Sequence, residues 1–196
     1  MFLVAGLGNP GEEYALTPHN LGFLTVDRLA ERHGIRVTRK DSKALVGVGE
    51  VDGQAVMLAK PQTFMNLSGT SLAPLMEKHS VGVDRLMVVY DELDLGWLAL
   101  KIKPKGSAAG HNGMKSVIAS LGTSEIVRVR LGIHPGHPLT SGTDYLLAPM
   151  KRSQRKELDG FIDYAADAVR SIIAEGVAKA MTKFNRRAPG LTEEEA

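Results

Sequence analysis

Apolar runs, either continuous or alternating with polar residues, indicate six β-strands. Continuous runs are typical of strands buried on both faces, whereas alternation is typical of strands with one polar face. One pair of runs flanks Asp52-Gly53, a dipeptide that favours the tight turn of a β-hairpin. The predicted strands are 2–7, 45–50, 54–60, 85–90, 98–103 and 126–134.

Apolar residues at helical spacing predict four helices between and after these strands. The first follows His19-Asn20 and stops at Gly34. The second contains Pro74, which we expect near its first turn or at a kink. The last contains Gly160 and Gly176, which favour breaks in a helix. The predicted helices are about 19–34, 66–79, 111–122 and 153–184.

Strands that alternate with helices, together with one hairpin, predict the fold class. We expect an α/β fold, a single domain in which a mixed, mostly parallel twisted sheet is flanked by helices. The length of 196 residues suits one domain with a real hydrophobic core. We place this domain at 1–187 and a disordered tail at 188–196.

The composition excludes several classes of protein. There is no Cys, which rules out a disulfide scaffold, a thiol nucleophile and Cys-ligated zinc or iron–sulfur sites. No apolar run approaches the roughly 18 residues that a membrane span requires. The start, MFLVAGLGNPG, lacks a basic region and a cleavage site, so it predicts a first strand rather than a signal peptide. We therefore expect a cytoplasmic, monomeric protein with no membrane partner.

The net charge of +2 hides an uneven distribution of charged residues. The segment 95–143 holds six basic residues and one acidic residue, Glu125, and so carries +5, whereas the rest of the chain carries −3. A local basic surface on a nearly neutral protein favours a polyanionic partner such as nucleic acid. A solvated charged face is the alternative interpretation.

The start of the chain matches a dinucleotide-binding signature, G-x-G-x-x-G, at 6–11. That signature requires a helix that begins inside the loop and points its N-terminus at the pyrophosphate. Here Pro10 lies within the loop and Thr17-Pro18 interrupts the next segment, so the helix is delayed to about His19. The strands that follow form a hairpin rather than a crossover. We therefore expect these glycines to permit a tight turn that aims Asn9 at a site.

Polar residues in loops beside glycines are the candidates for chemistry. Asn9 and Asp91 each follow a strand, so they could share the crevice at the carboxyl ends of the strands. His19 can act as a general base, with Asp91 fixing its tautomer. Asparagine amides can hold a carbonyl oxygen. Asn66 and Asn112 could supply such amides, although each is also a natural helix N-cap.

Two other functions fit part of this pattern. A metal-dependent hydrolase could be built on His19 and Asp91, but strand periodicity turns Asp91 and Glu92 to opposite sides, and we predict no metal and no cofactor. A non-enzymatic RNA-binding domain would use the same basic face, with His19 and Asp91 in structural roles. No G-x-S-x-G nucleophile motif, P-loop or H-E-x-x-H motif is present.

Five short motifs carry the candidate residues. They are Gly6-Leu7-Gly8-Asn9-Pro10-Gly11 with Tyr14, Thr17-Pro18-His19-Asn20, Thr63-Phe64-Met65-Asn66-Leu67-Ser68-Gly69, Asp91-Glu92-Leu93-Asp94 and Gly110-His111-Asn112-Gly113. In their order and spacing they resemble bacterial peptidyl-tRNA hydrolase, from about Leu3 to Phe184. The resemblance implies a monomeric cytoplasmic esterase that splits the ester between a peptide and the 3′ end of tRNA, which frees the tRNA for reuse in translation.

The resemblance also implies roles for individual residues. His19 looks like the catalytic base, and Asp91 looks like the partner that keeps it basic. Asn9 resembles the residue that distinguishes N-blocked from free aminoacyl-tRNA. Lys103 and Arg130 resemble a pair that clamps the 5′-phosphate of the tRNA. The residues that resemble the substrate-binding set of the family are Tyr14, Phe64, Met65, Asn66, His111 and Asn112.

Overall fold

The computed structural model describes residues 1–185, so the predicted domain end at 187 and the predicted tail at 188–196 lie outside the described residues. The strands are β1 (Phe2–Gly6), β2 (Arg39–Asp41), β3 (Ala44–Val51), β4 (Gln54–Pro61), β5 (Leu86–Gly96), β6 (Leu100–Lys103) and β7 (Val127–His134). The helices are α1 (Leu21–His33), α2 (Gly69–Lys78), α3 (Asn112–Leu121), α4 (Gly142–Leu147), α5 (Arg152–Glu175) and α6 (Val177–Phe184). None of the helices described here is both long and apolar enough to cross a bilayer.

The seven strands form one sheet in the order β2-β3-β4-β1-β5-β7-β6. The central strands β4, β1, β5 and β7 run parallel to one another, whereas β2, β3 and β6 pair antiparallel at the two edges. β3 and β4 form the predicted hairpin, and its turn holds Asp52 and Gly53 at positive φ. The predicted α/β class, with a mixed and mostly parallel sheet, is therefore confirmed.

Helices cover both faces of the sheet, and each face has its own core. α1 and α5 cover one face, in a core that includes Val4, Leu29 and Phe161. α2 and α3 cover the other face, in a core that includes Leu3 and Leu75. Because both faces of the central strands are buried, β1 and the first half of β5 are apolar on both sides.

Several elements differ from the prediction. β5 does not end before Asp91 but continues to Gly96, because its extension pairs with β7 in an irregular register. β2 and α4 were not predicted. β2 is a three-residue edge strand that a turn at Ser42-Lys43 folds against β3. α4 is a six-residue helix with no buried residue. Neither element therefore leaves an apolar pattern in the sequence. Gly176 separates α5 from α6 as expected, whereas Gly160 lies inside α5.

Two glycines let α1 approach the sheet closely. A Cβ atom on Gly6 would lie 2.1 Å from the carbonyl oxygen of Gly22, and a Cβ atom on Gly22 would lie 2.4 Å from the carbonyl oxygen of Val89. Only a residue without a side chain fits at this crossing. The helix begins at Leu21, as late as predicted, and the glycines hold its start against β1 and β5 beside Asp91.

Candidate active site

Three buried side chains meet at the carboxyl end of the parallel strands. Asp91 lies on β5, His19 lies in the single helical turn that precedes α1, and His111 stands at the start of α3. The Nδ1 atom of His19 lies 2.7 Å from Oδ2 of Asp91. The structure thus brings together the two residues that the sequence proposed as base and partner.

Asp91 is shared between two histidines. Its Oδ1 atom lies 3.0 Å from Nε2 of His111, while Nδ1 of His111 accepts the backbone N–H of Met114 at 3.2 Å. The ring of His111 therefore keeps its proton on Nε2 and donates it to Asp91. Burial by itself raises the pKa of the Asp91 carboxyl, but its interactions with His19 and His111 outweigh burial and hold that pKa well below its usual range.

These hydrogen bonds also decide where the proton of His19 lies. A carboxylate can only accept hydrogen bonds, so His19 donates to Asp91 through Nδ1. The Nε2 atom of a neutral His19 then carries a lone pair. That atom can take a proton from water, which is the task of a general base.

The same three residues meet the distance condition for a metal site, since their ligand atoms lie within 4.8 Å of one another. These atoms, however, hydrogen-bond to each other. A histidine nitrogen must be unprotonated to bind a metal, whereas Nε2 of His111 carries the proton that Asp91 accepts. Glu92 is engaged elsewhere, because it binds Arg130. The geometry favours proton transfer over metal binding.

Asn9 is positioned by a residue that the sequence reasoning did not single out. The side chain of Asn20 accepts the backbone N–H of Asn9 at 2.8 Å and donates to its carbonyl oxygen at 2.9 Å. The side-chain oxygen of Asn9 accepts the backbone N–H of Met65 at 2.8 Å. Within residues 1–185, the NH₂ group of Asn9 has no hydrogen-bond partner, so it can donate to a ligand. The one sequence signal for Asn20 was its position directly after His19.

Asn66 and Asn112 are exposed and do not act as helix N-caps. α2 begins three residues beyond Asn66, and His111 caps α3 through its ring. Asn66 follows Met65, and Asn112 precedes Gly113. These two neighbours pack closely, because a Cβ atom on Gly113 would lie 2.6 Å from Sδ of Met65. Because both asparagines are exposed, their amides are available to a ligand.

The other predicted lining residues differ in exposure. Phe64 is 61% exposed, and Tyr14 is partly exposed with its carbonyl oxygen bound by the hydroxyl of Thr17. Met65 is buried. The side chain of His111 is 5% exposed, and both of its ring nitrogens bind groups within the protein.

Lys103 and Arg130, the predicted phosphate clamp, lie on neighbouring strands but are not direct partners. In the ladder between β6 and β7, Lys103 lies opposite Arg128, and Lys101 lies opposite Arg130. Opposite residues point to the same face, so all four side chains share one face of the sheet. Diagonal neighbours such as Lys103 and Arg130 are typically about 7–8 Å apart in a sheet.

Both arginines of β7 are buried, which the alternating pattern did not predict. Arg130 donates to Glu92 through Nε at 3.0 Å and Nη2 at 2.5 Å. Arg128 donates to backbone carbonyl oxygens in the loops on either side of α3. Lysines therefore form the accessible part of the basic segment. They are Lys101, Lys103, Lys105 and Lys115.

Relatives of known activity match nearly the whole chain. Residues 3–192 match the family model described as peptidyl-tRNA hydrolase. A peptidyl-tRNA hydrolase of Solibacter usitatus is 78% identical over 196 residues, which is 100% of both chains. One of Koribacter versatilis is 48% identical over 95% of this chain and 94% of its own. The crystal structure of peptidyl-tRNA hydrolase from Acinetobacter baumannii is similar with a TM-score of 0.89 and 32% identity, over 97% of each chain.

Proposed function

This chain belongs to the peptidyl-tRNA hydrolase family, and we propose that His19, Asp91 and Asn9 perform the reaction of that family. The enzyme hydrolyses the ester bond between tRNA and a peptide or another N-blocked aminoacyl group. The products are a free peptide and a tRNA that can be used again in translation. The observation that supports these three residues is the buried hydrogen bond between His19 and Asp91 at the carboxyl end of the strands.

The reaction begins when Nε2 of His19 takes a proton from water and the hydroxide bonds to the ester carbonyl carbon. The carbonyl electron pair moves onto oxygen, where the NH₂ groups of Asn66 and Asn112 stabilise the charge. Collapse of this intermediate breaks the bond to the ribose oxygen of the tRNA, and that oxygen takes the proton back from His19. Asp91 stabilises the charged imidazole ring between the two proton transfers.

Asn9 selects N-blocked substrates through its NH₂ group. Because its side-chain oxygen already accepts the N–H of Met65, Asn9 donates to the substrate. A peptide or an N-acetyl group offers a carbonyl oxygen next to the blocked nitrogen, whereas free aminoacyl-tRNA offers an ammonium group that cannot accept a hydrogen bond. A site built around such a bond discriminates strongly against substrates that cannot form it.

Two cavities support an orientation for the substrate. A cavity of about 190 Å³ beside Asn9 reaches towards β4 and includes Phe23 and Leu45. A larger cavity of about 770 Å³ beside α3 includes Lys105 and Lys115. β4 and β7 lie on opposite sides of β1 and β5 in the sheet. The peptide therefore extends towards β4, and the polyanionic tRNA extends towards the lysines.

The tRNA-binding residues follow from the same orientation. Lys103 and Arg130 hold the 5′-phosphate at the acceptor end of the tRNA, and the exposed residues around His19 contact its acceptor strand and the aminoacyl group. The enzyme acts as a monomer in the cytoplasm, where translation produces its substrate, and uses no cofactor. The residues that contact the substrate are Tyr14, Phe64, Met65, Asn66 and Asn112.

The experiment that tests this function compares N-acetyl-aminoacyl-tRNA with free aminoacyl-tRNA as substrates of the purified protein. We expect rapid hydrolysis of the first and little hydrolysis of the second. Binding of tRNA without cleavage of either substrate would instead support the non-enzymatic RNA-binding alternative. Loss of activity on chelation and its return with an added metal, under conditions in which the tRNA stays folded, would support the metal-dependent alternative.

A further inference from the structure

The ring of His111 uses both of its nitrogen atoms inside the protein. Nδ1 accepts the N–H of Met114 at the start of α3, and Nε2 donates to Oδ1 of Asp91. The ring centroid lies 4.7 Å from that of Tyr90 and 5.1 Å from that of His19. Within residues 1–185, His111 is thus held by a helix terminus and two rings, and its one remaining hydrogen bond is to Asp91, the partner of the proposed base.

We propose that His111 is a positioning residue. It fixes which oxygen of Asp91 faces His19, and that oxygen in turn fixes which nitrogen of His19 carries the proton. The proposal rests on the proposed role of His19 as the base. Because the N–H of Met114 occupies Nδ1, the Nε2 atom of His111 can only donate. It therefore takes one carboxylate oxygen permanently and leaves the other to His19.

In the part of the chain that the structure describes, the charged groups that interact with Asp91 are the two histidines. His19 approaches from the turn before α1, and His111 approaches from the start of α3. On β5 itself, the neighbouring Glu92 carboxylate is paired with Arg130. The two histidines are therefore the groups that set the hydrogen bonding and the charge of Asp91.

This arrangement predicts an unusual effect of an amide at position 91. Asp91→Asn has one accepting oxygen and one donating NH₂ group. His111 can only donate, so it takes the oxygen, and the NH₂ group must face Nδ1 of His19. A neutral His19 then carries its proton on Nε2, the atom that is needed as base. Asp91→Asn thus selects the wrong tautomer of His19 in addition to removing a charge.

The test uses Asp91→Asn, His111→Asn and the variant with both changes. Asn is one of the best N-cap residues, so His111→Asn keeps the cap of α3, but its shorter side chain does not reach Asp91. In the double variant the amide at position 91 can rotate and present its oxygen to His19. We expect Asp91→Asn to lower kcat by about 10²–10⁴ and the double variant to be about tenfold more active than Asp91→Asn. A double variant no more active than Asp91→Asn would overturn the proposal.

The pH profile of His111→Asn provides a second readout. Without the bond from His111, the charge of Asp91 acts more fully on His19. The acid limb of the kcat/KM profile should therefore move to higher pH. His79→Asn, the same change in the part-buried Asp41–His79 pair at the end of α2, should leave the profile in place. A lowered rate with an unmoved acid limb would assign His111 a merely structural role.

Nitrogen NMR of the histidine rings separates this proposal from the proposed function. We expect the proton of His19 to lie on Nδ1 in the wild-type protein, on Nε2 in Asp91→Asn, and again on Nδ1 in the double variant. If the tautomer changes in this way but the wild-type protein hydrolyses no substrate, the proposed function is wrong and the positioning role stands. If the wild-type protein is active and the tautomer does not change, the positioning role is wrong.

Discussion

The side chain of Asn20 holds the backbone of Asn9 from both sides, with hydrogen bonds of 2.8 Å to its N–H and 2.9 Å to its carbonyl oxygen. Both residues are buried. Asn20 directly follows His19, so one dipeptide carries the proposed base and the group that positions the selecting residue. The hydrogen bonds of Asn20 therefore hold the backbone of Asn9 beside the turn that carries His19.

We expect Asn20→Leu to reduce the preference for N-blocked substrates. Leu has nearly the same shape as Asn but leaves the buried N–H and carbonyl groups of Asn9 without partners, so the loop that carries Asn9 must shift. The ratio of kcat/KM for N-acetyl-aminoacyl-tRNA to that for free aminoacyl-tRNA should fall by about tenfold or more. The measurement is the pair of hydrolysis rates on the two substrates.

A double-mutant cycle checks that Asn20 acts through Asn9. Asn9→Ala alone should lower the same ratio, and the variant with both changes should be no worse than Asn9→Ala, because the two residues act as one unit. Thr25→Val is the matched control, since it removes another buried side-chain hydrogen bond, to Leu21, in the adjacent helix. Fully additive losses for Asn9 and Asn20 would show that Asn20 affects selectivity by another route.

His19→Ala should lose nearly all hydrolysis while it keeps the fold and the affinity for tRNA. Removal of a general base typically lowers the rate by about 10²–10⁴. His79→Ala is the control, because His79 also binds a buried carboxylate, that of Asp41 at 2.9 Å, but at the end of α2. His79→Ala should hydrolyse the substrate at the wild-type rate. Wild-type activity in His19→Ala would mean that another group activates the water.

Lys103→Ala should weaken the binding of full-length peptidyl-tRNA without affecting the chemical step. Loss of one phosphate contact should raise KM and make the slope of log KM against log salt concentration shallower by about one. Hydrolysis of a short acylated oligonucleotide that lacks the 5′-phosphate should hardly change. Lys40→Ala removes the same charge from β2, at the opposite edge of the sheet, and should leave the hydrolysis of both substrates unchanged. Equal losses on both substrates in Lys103→Ala would contradict the clamp.

Arg130 has a structural role that must be separated from any contact with tRNA. Arg130→Leu leaves Glu92 buried without its partner, and loss of one member of a buried ion pair typically costs about 3–5 kcal/mol. Urea denaturation should detect that loss of stability. Glu92→Leu together with Arg130→Leu should recover most of it, because no unpaired charge remains. The recovered variant is the one in which to measure KM for tRNA, and an unchanged KM there would exclude Arg130 from the clamp.

Stability at low pH should depend on Asp41. Hydrogen bonds from His79 and then Lys78 lower the pKa of Asp41 to about 2. A carboxyl whose pKa is lower in the folded than in the unfolded protein stabilises the fold at neutral pH, and this contribution is lost as the pH falls from about 4 towards 2. Asp41→Asn should therefore lower the free energy of unfolding by about 1–2 kcal/mol at pH 7 and by much less at pH 3. A difference of the same size at both values would contradict this assignment.

Turns and helix ends could be predicted from the sequence because their signals are local. Gly34 and Gly122 end α1 and α3 in the left-handed conformation, at φ of +63° and +70°, which glycine adopts without strain. Asp52-Gly53 turns the hairpin for the same reason. The pairing of His19 with Asp91 could also be predicted from the sequence, since a helix start and a strand end on the same edge of a sheet lie close together.

The sequence alone determined the α/β class, the order of most elements and the candidate base and its partner. The tertiary structure decided the hydrogen-bond partners of the polar residues. It gave Asp91 a second histidine, placed Asn20 against Asn9, and buried Arg130 against Glu92. A periodic pattern shows which face of an element is polar, but the partner of a polar side chain lies on an element distant in sequence. Arg130 illustrates this, because it is buried against Glu92 on β5, a partner 38 residues away in the sequence.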